Sequence, residues 1–413
     1  MKDLALYVHI PFCAKKCAYC DFLSGQATVE TQREYVTVLC EEIRREAAIA
    51  TEYRVISVFF GGGTPSILEQ GLLAQIMETI RSNYKLLPDA EITVECNPGT
   101  LTADKLSEYR KAGVNRLSIG LQSADNAELK LLGRIHTWEQ FLESYELARK
   151  AGFDNINIDL MSALPGQTLA NYEQTLRKVL ALQPEHISAY SLIIEEGTPF
   201  YEQYRFQMKM REMFGGMGVV NMAGNSKEME EELRDMCEDL QQELLPDEWT
   251  ERRMYERTKE VLEEAGYYRY EISNYAKPGR ECRHNLCYWE RTEYLGFGIG
   301  AASLFQECRF DRIDRLTLYI SKLNAGESTR TEEEVLTQQM QMEEYMFLGL
   351  RKMQGVSISG FAKLYGVEMQ EVYGNVIRKY QEYEMLQIEQ DWLRLTPDGI
   401  NVSNRILSEF LLD

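Results

Sequence analysis

Three cysteines stand within eight residues, in Cys13-Ala14-Lys15-Lys16-Cys17-Ala18-Tyr19-Cys20. Thiolates at this density can wrap a soft metal centre. Structural zinc takes four protein ligands, commonly as two close cysteine pairs. Here the spacing is C-x3-C-x2-C, with no fourth Cys or His inside the loop. Three ligands fit a [4Fe-4S] cluster with one iron left open, although ordinary clusters of this kind take four thiolates. An open iron is a place for a substrate or cofactor. The alternative is a zinc knot that borrows a ligand such as Cys282 or His284.

Other chemistry-bearing residues follow at strand ends. Phe60-Gly61-Gly62-Gly63-Thr64-Pro65 lets backbone amides approach a ligand closely; taken alone it could also be a tight strand-to-helix turn. Glu95 lies in Thr93-Val94-Glu95-Cys96-Asn97-Pro98-Gly99, Gln122 closes a further apolar run, Arg134 follows in Leu132-Gly133-Arg134-Ile135-His136, and Asp159 sits in Asn157-Ile158-Asp159-Leu160. A carboxylate at the C-terminal end of a parallel strand reads as a ligand position. If the strands are parallel, all of these residues meet at one rim.

The elements that must position them alternate. Short β-branched or apolar runs at 4–10, 55–60, 91–96, 116–122, 155–161 and 186–194 read as strands. Helix-length stretches at 31–50, 69–82, 103–112, 137–151 and 169–182 lie between them. This alternation predicts an α/β fold with a parallel sheet covered by helices. Gly113 and Gly152 each stand where a helix C-terminus needs a left-handed residue, and they are 39 residues apart, about one βα unit. Six units fit residues 1–200. The pattern allows a partial barrel or an open doubly wound sheet.

Residues 205–246 change character. Met208, Met210, Met213, Met217, Met222, Met229 and Met236 lie among Gly-Gly and acidic runs, which suggests a Met-rich acidic insertion with one helix over 227–244. Met-rich faces can also be adaptable docking elements. Residues 247–330 carry chemistry again. The tail, 331–413, has helical periodicity and a strand pair around Gln390-Asp391, the outline of a winged-helix-like domain. It holds 7 Lys and Arg against 14 Asp and Glu, so packing or dimerisation is favoured over DNA reading. The domains expected are 1–204, 205–246, 247–330 and 331–413.

Composition sets the outer bounds. Of 413 residues, 44% are hydrophobic and 27% charged, the mix of a globular chain with a full core. The formal charge of −20 argues against nucleic-acid partners. No apolar run approaches the ~18 residues of a transmembrane segment, and the first residues do not read as a signal peptide. The odd count of nine cysteines points away from a disulfide framework. These features together suggest a cytoplasmic protein.

The cysteine loop after the first strand, with its companions, resembles the radical S-adenosylmethionine (SAM) superfamily. The resemblance implies a partial (β/α)6 barrel, followed by a smaller α+β part and the winged-helix-like domain. It implies that Cys13, Cys17 and Cys20 hold the cluster, with SAM on the open iron. Tyr7 and Tyr19 would contact SAM, Gly62, Gly63 and Thr64 would hold its methionine end, and Glu95, Gln122, Arg134 and Asp159 would surround the rest. Ile193 and Ala302 are weaker placements on the same grounds.

The likeness narrows to one branch. Tyr7-Val8-His9-Ile10-Pro11-Phe12-Cys13, Phe59–Ser66, Asn115–Ser123 and Leu164-Pro165-Gly166-Gln167-Thr168 are similar to the oxygen-independent coproporphyrinogen III oxidase group. Phe22 follows Cys20-Asp21 where the true oxidases carry a further cysteine, and only three residues precede Leu4 where those oxidases have an extension. Both features favour the group's heme-chaperone branch. Ala163 departs from the family's usual Gly before the Leu-Pro.

Cys282-Arg283-His284-Asn285-Leu286-Cys287-Tyr288-Trp289 is similar to the H-N-x-x-Y-W motif linked to heme in that branch. His284 becomes a candidate heme ligand, and Arg280, Arg283 and Arg291 candidates for the propionates. A structural histidine is the alternative, with Cys282 and Cys287 as other ligands. His9, His136 and His186 read as structural. The resemblance thus implies heme transfer to an acceptor hemoprotein. The rival is the oxidase itself, decarboxylating porphyrinogen propionates by radical chemistry and drawing electrons from flavodoxin or ferredoxin. The oligomeric state stays open, a homodimer included.

Overall fold

The computed structural model describes residues 1–215 and 243–412. The helix expected over 227–244 falls almost wholly outside the described residues, as do Met217, Met222, Met229 and Met236. The helix Pro199–Gly215 runs straight through residue 205, where the insertion was expected to begin.

Six strands follow one another in the first half: β1 (Lys2–Ile10), β2 (Tyr53–Gly62), β3 (Leu86–Cys96), β4 (Arg116–Gln122), β5 (Ile156–Ser162) and β6 (His186–Ser191). Each pairs in parallel with the next. Between them run α1 (Val29–Glu46), α2 (Leu72–Asn83), α3 (Ala103–Lys111), α4 (Asn126–Leu131), α5 (Trp138–Lys150) and α6 (Leu169–Leu180). The short α4 lies where no helix was expected.

The strand order decides between the two architectures left open by the sequence. A doubly wound sheet reverses direction at a switch point; here β1 to β6 run in strict sequence order. With right-handed crossovers, every connecting helix then falls on one face. The sheet is therefore singly wound, a partial barrel with helices outside and a free inner face.

Later segments extend both edges of this sheet. β7 (Tyr268–Arg269) and β8 (Asn274–Ala276) add antiparallel to β6. β9 (Tyr294–Phe297) returns parallel to β1, followed outward by β10 (Ser303–Phe305), β11 (Cys308–Arg312) and β12 (Arg330–Val335). The outer face is apolar: Leu6, Val8, Val58, Phe60, Val94, Leu117, Ile119, Ile158 and Leu160 pack beneath the helices in one large core.

Local signals shape the joints. Thr28, Thr102, Asp125, Thr137 and Thr168 cap their helices through side-chain acceptors. Gly113 and Gly152 adopt φ of 84° and 85° just past α3 and α5, as their repeated placement suggested.

The last domain has its own core around Phe361, Tyr373, Ile377 and Leu393. Its hairpin joins Leu386–Glu389 to Trp392–Leu395, with Val356–Ser357 as a third strand. It is tied to the sheet by a four-residue ion cluster in which the Arg291 and Glu344 side chains are nearly buried and those of Glu307 and Arg309 reach solvent. Arg291 reaches Glu344 of the helix Gln338–Gly349 and Glu307, both at 2.8 Å, and Arg309 meets Glu344 at 2.6 Å. Removing Arg291 leaves Glu344 with Arg309 alone, at a cost below the ~3–5 kcal/mol of a fully stranded buried charge. Arg291→Ala is expected to loosen this domain selectively, with a lowered first thermal transition and faster proteolysis within 336–412. Unchanged melting and cleavage would show that the cluster does not hold the domain.

Candidate active site

The C-terminal ends of β1 to β5 carry the residues that the sequence singled out. After β1 the chain enters the cysteine loop. The loop is pinned by backbone bonds from Cys13 N to Gly25 O at 2.9 Å, Gly25 N to Pro11 O at 2.9 Å, and Ala18 N to Leu132 O at 3.0 Å. After β2 the glycine turn folds back on it, with Gly63 N donating to Ile10 O and Thr64 N to Phe12 O, both at 2.8 Å. A Cβ at Gly62, where φ is 108°, would lie 2.5 Å from the His9 ring, and one at Gly63 would lie 2.8 Å from Phe12 O. Only glycine permits this approach of the two loops.

The result is a cavity of about 140 Å³ lined by Cys13, Cys17, Tyr19, Cys20, Phe22, Gly62, Gly63, Thr64, Glu95, Gln122, Arg134 and Asp159, among others. Eleven of the predicted residues thus come together, and Tyr7 lines the adjoining cavity beneath, which shares Glu95 and Asp159 with this one. Ile193 (69% exposed) and Ala302 are exposed and line neither this cavity nor the one beneath it.

All three thiols are free and partly buried. Cys13 Sγ lies 3.4 Å from Thr64 Oγ1, and Arg134 Nη1 donates to Cys17 Sγ at 3.6 Å. Arg134 also donates to Asn97 Oδ1 at 2.6 Å and Gly120 O at 2.5 Å, while its buried Nε is left without a partner. Burial pushes the Cys20 thiol up, so that sulfur is protonated until something binds it.

Among the described residues, no group of three or more His, Cys, Asp or Glu side chains could hold a single metal ion. The zinc knot is also removed by position. Cys282 Sγ points to Glu91 at 3.5 Å and His284 Nδ1 pairs with Ser57 Oγ at 3.0 Å, both toward the opposite end of the barrel. A cubane spreads its irons over separate corners, so the donor set at this rim fits it with one corner free.

Two carboxyl groups face the cavity. Glu95 Oε2 accepts from Gly62 N at 3.2 Å. Burial, with Asp159 adding repulsion, pushes the Glu95 carboxyl up to about 8. Asp159 accepts from Asn157 Nδ2 at 2.7 Å and Ser118 Oγ at 3.3 Å, and burial raises it too. Gln122 adopts φ of 75° beside a register shift in the β4–β5 pairing, a local strain of the kind found at ligand sites.

The inner face below is polar. Tyr7, Phe59, Arg116, Ser118, Asn157, Asp159, Ser188 and Tyr190 point inward at every second position along their strands and line a further cavity of about 190 Å³. Its floor is α9 (Arg283–Trp289), numbered after α7 (Pro199–Gly215) and α8 (Glu248–Glu264). Glu91 holds the start of α9 by accepting from Arg283 N and His284 N, both at 3.1 Å. The motif 282–289 is therefore a plug in the N-terminal end of the barrel. His284 is buried, with Tyr288 Oη at Nε2 (2.9 Å), and burial next to Arg116 holds its imidazole neutral, down to about 3.

Of the arginines expected near it, Arg280 makes a long ion pair with Asp154, and Arg283 donates to Asp89 O at 2.7 Å beside a long ion pair with the same residue. Arg291 is committed to the ion cluster of the C-terminal domain and is not free for a propionate. His9, His136 and His186 are hydrogen-bonded in the interior, to Leu23 O, Leu121 O, and Asn157 with Tyr270. Asn97, Arg116 and the polar inner positions escaped the sequence reading; their signal was a polar residue at alternate positions in otherwise apolar strands.

Residues 7–179 match the radical SAM superfamily model, and residues 336–402 match the HemN C-terminal domain. The chain is 34% identical to the heme chaperone HemW of Lactococcus lactis, over 100% of this chain and 98% of that protein. Against heme chaperone HemW of Bacillus subtilis the identity is 35%, covering 98% of each. The structure superimposes on the radical SAM enzyme coproporphyrinogen III oxidase (HemN) of Escherichia coli with a TM-score of 0.80, at 21% identity, over 99% of this chain and 90% of that one. That likeness establishes the fold. No described helix is long and apolar enough to cross a membrane.

The raised Glu95 carboxyl gives a pH test. Its folded value of about 8 against an ordinary 4.5 means that the stability it contributes is full below pH 4.5 and is lost as pH rises toward 8. Glu95→Gln removes that loss. The melting temperature of the cofactor-free variant, relative to wild type, is expected to be higher at pH 9 than at pH 5 by about 2 °C or more. A difference independent of pH would contradict the assignment.

Proposed function

Since the chain belongs to the HemW-like group of radical SAM proteins, we propose that it is a heme chaperone that carries a [4Fe-4S] cluster with SAM and passes heme to an acceptor hemoprotein. The whole-length likeness to heme chaperones carries this reading. Phe22 supports it: this side chain is 62% exposed and lines the cavity where the oxidases carry another sulfur.

In this reading Cys13, Cys17 and Cys20 hold the cluster. Gly62, Gly63 and Thr64 receive the methionine end of SAM on backbone and hydroxyl groups, and Glu95 is placed to accept from its ammonium. Arg134 orients Asn97 and holds positive charge beside Cys17. Tyr7, Tyr19, Gln122 and Asp159 close the walls and exclude water. Ile193 and Ala302 are exposed and lie outside the lining of both cavities. When bound, the cluster and SAM supply one-electron chemistry at this rim. Lys15 and Lys16 are exposed on the same loop, where an acidic electron donor such as flavodoxin or ferredoxin would approach.

His284 is the proposed heme ligand, and its neutral imidazole is the ligating form. Ligation would displace Tyr288 Oη from Nε2. It would also require α9 to move, because about 190 Å³ lies below the ~300 Å³ of even a small ligand pocket. Arg280 and Arg283, at the surface near this helix, are the remaining propionate partners.

The rival reading, an oxidase, is separated by one experiment. Protein reconstituted anaerobically with iron and sulfide is divided between a hemin titration and an assay with coproporphyrinogen III, SAM and a reductant. A Soret band that grows to saturation, weakened at least tenfold in apparent affinity by His284→Ala, with no protoporphyrinogen formed, is the expected result. Formation of protoporphyrinogen would reverse the assignment, and a Soret band unchanged in His284→Ala would remove that ligand.

A further inference from the structure

Arg116 is the anomaly of the barrel interior. It opens β4, is 2% exposed, and is among the largest fully buried side chains. Its guanidinium lines the inner cavity. Among the described residues it makes no hydrogen bond or ion pair, and its Nε is buried without a partner. The other two buried arginines among the described residues each have a bonded partner. Arg312 is matched by Glu42 and Glu46, and Arg269 donates to Tyr255 Oη at 2.7 Å.

A buried cation without a hydrogen-bonded partner costs several kcal/mol unless nearby charge compensates it. Burial disfavours the charge of Arg116, but attraction from Cys282, Glu91, Tyr270 and Asp159 outweighs it and keeps the guanidinium charged, while none of these groups bonds to it. Glu91 accepts from the start of α9, and Asp159 accepts from Asn157 and Ser118. The other titratable groups around the cavity carry little charge to oppose a ligand. Burial drives the imidazoles of His186 and His284 toward the neutral form and the hydroxyls of Tyr7 and Tyr190 upward, and Glu95 is held protonated to about pH 8.

We propose that the inner cavity is a binding site for a carboxylate group, anchored on the guanidinium of Arg116. A guanidinium presents two parallel donors that match a carboxylate. Ser118, Asn157, Ser188 and Tyr190 ring the same space with neutral hydrogen-bonding groups. The volume of about 190 Å³ excludes a whole porphyrin and admits a short carboxylic acid or one propionate arm. The cavity is shared with His284, the proposed heme ligand, but the inference does not need heme, because Arg116 lacks a bonded partner among the described residues and a free carboxylate tests it alone.

The test uses the full-length, cofactor-free chain. Carboxyl-13C-labelled propionate is titrated at constant ionic strength, with chloride as the control anion, and followed by line broadening and by melting temperature. Wild type is expected to broaden the propionate signal and to melt higher with propionate than with chloride. Arg116→Met is expected to weaken both effects at least tenfold and, without ligand, to melt no lower than wild type. Equal effects in the two proteins, or no propionate-specific effect in wild type, overturn the proposal.

If Arg116→Met does not fold, Arg116→Lys keeps the charge and loses the fork. It must bind propionate at least tenfold more weakly, and equal binding again overturns the site. Hemin and its dimethyl ester then separate the two sources of carboxylate. A preference of wild type for the free acid, lost in Arg116→Met, assigns the site to a porphyrin arm. Propionate binding without that preference assigns it to a small free acid. Failure to bind any porphyrin would defeat the chaperone reading and leave the propionate result standing.

Discussion

Everything at the rim depends on one constraint of chirality. Six parallel strands in sequence order, joined by right-handed crossovers, leave no choice about where the helices go. They cover one face, and the loops leaving each strand all emerge at one end. The cysteine loop, the glycine turn, Glu95, Gln122 and Asp159 are neighbours for that reason, although more than 140 residues separate the first from the last. Contacts between loops then fix the finer geometry, and the glycines at 62 and 63 are required there because a methyl group would collide with His9 or Phe12.

The same constraint divides the sheet chemically. The outer face is buried by helices and is almost wholly aliphatic. The inner face meets a helix only at the N-terminal end, where α9 enters, and does not close on itself as a packed core. It carries instead a lattice of polar groups, most of them satisfied by one another: His186 with Asn157 and Tyr270, Asp159 with Asn157 and Ser118. Each such bond contributes only ~0.5–1.5 kcal/mol net, whereas a buried group left unpaired forfeits more. Glu91 is central to this arrangement, since it secures α9 as the floor. Groups left under strain of charge, Glu95 and Arg116, face the empty space between floor and rim.

Much of this was legible in the sequence. Apolar runs and helix-length spacers gave the six strands and five of the helices, and the cysteine spacing with its companions gave the rim. The ends of the chemistry were also marked, because Glu95 and Asp159 interrupt runs of aliphatic residues. Three things were not legible. Strand order is a long-range property, so the periodicity alone could not tell the partial barrel from the open sheet, and only the family resemblance pointed to the barrel. The place of His284 depended on α9 entering the barrel from below, which no local pattern announces. Arg116 looked like an ordinary strand start, and its isolation is visible only when the surrounding partners can be counted. Arg291 was misjudged for a related reason, as its carboxylate partner Glu344 is 53 residues away.

The central claim is that the three thiolates leave one iron vacant and that SAM occupies it. Electron–nuclear double resonance on the reduced cluster tests this directly, using SAM labelled with 15N at the amino group and 13C at the carboxylate. Hyperfine coupling to both labels, absent when unlabelled SAM is used, is the predicted result. A reduced cluster whose spectrum shows no coupling to either label, or protein that takes up zinc at these cysteines in place of the iron–sulfur cluster, would contradict it.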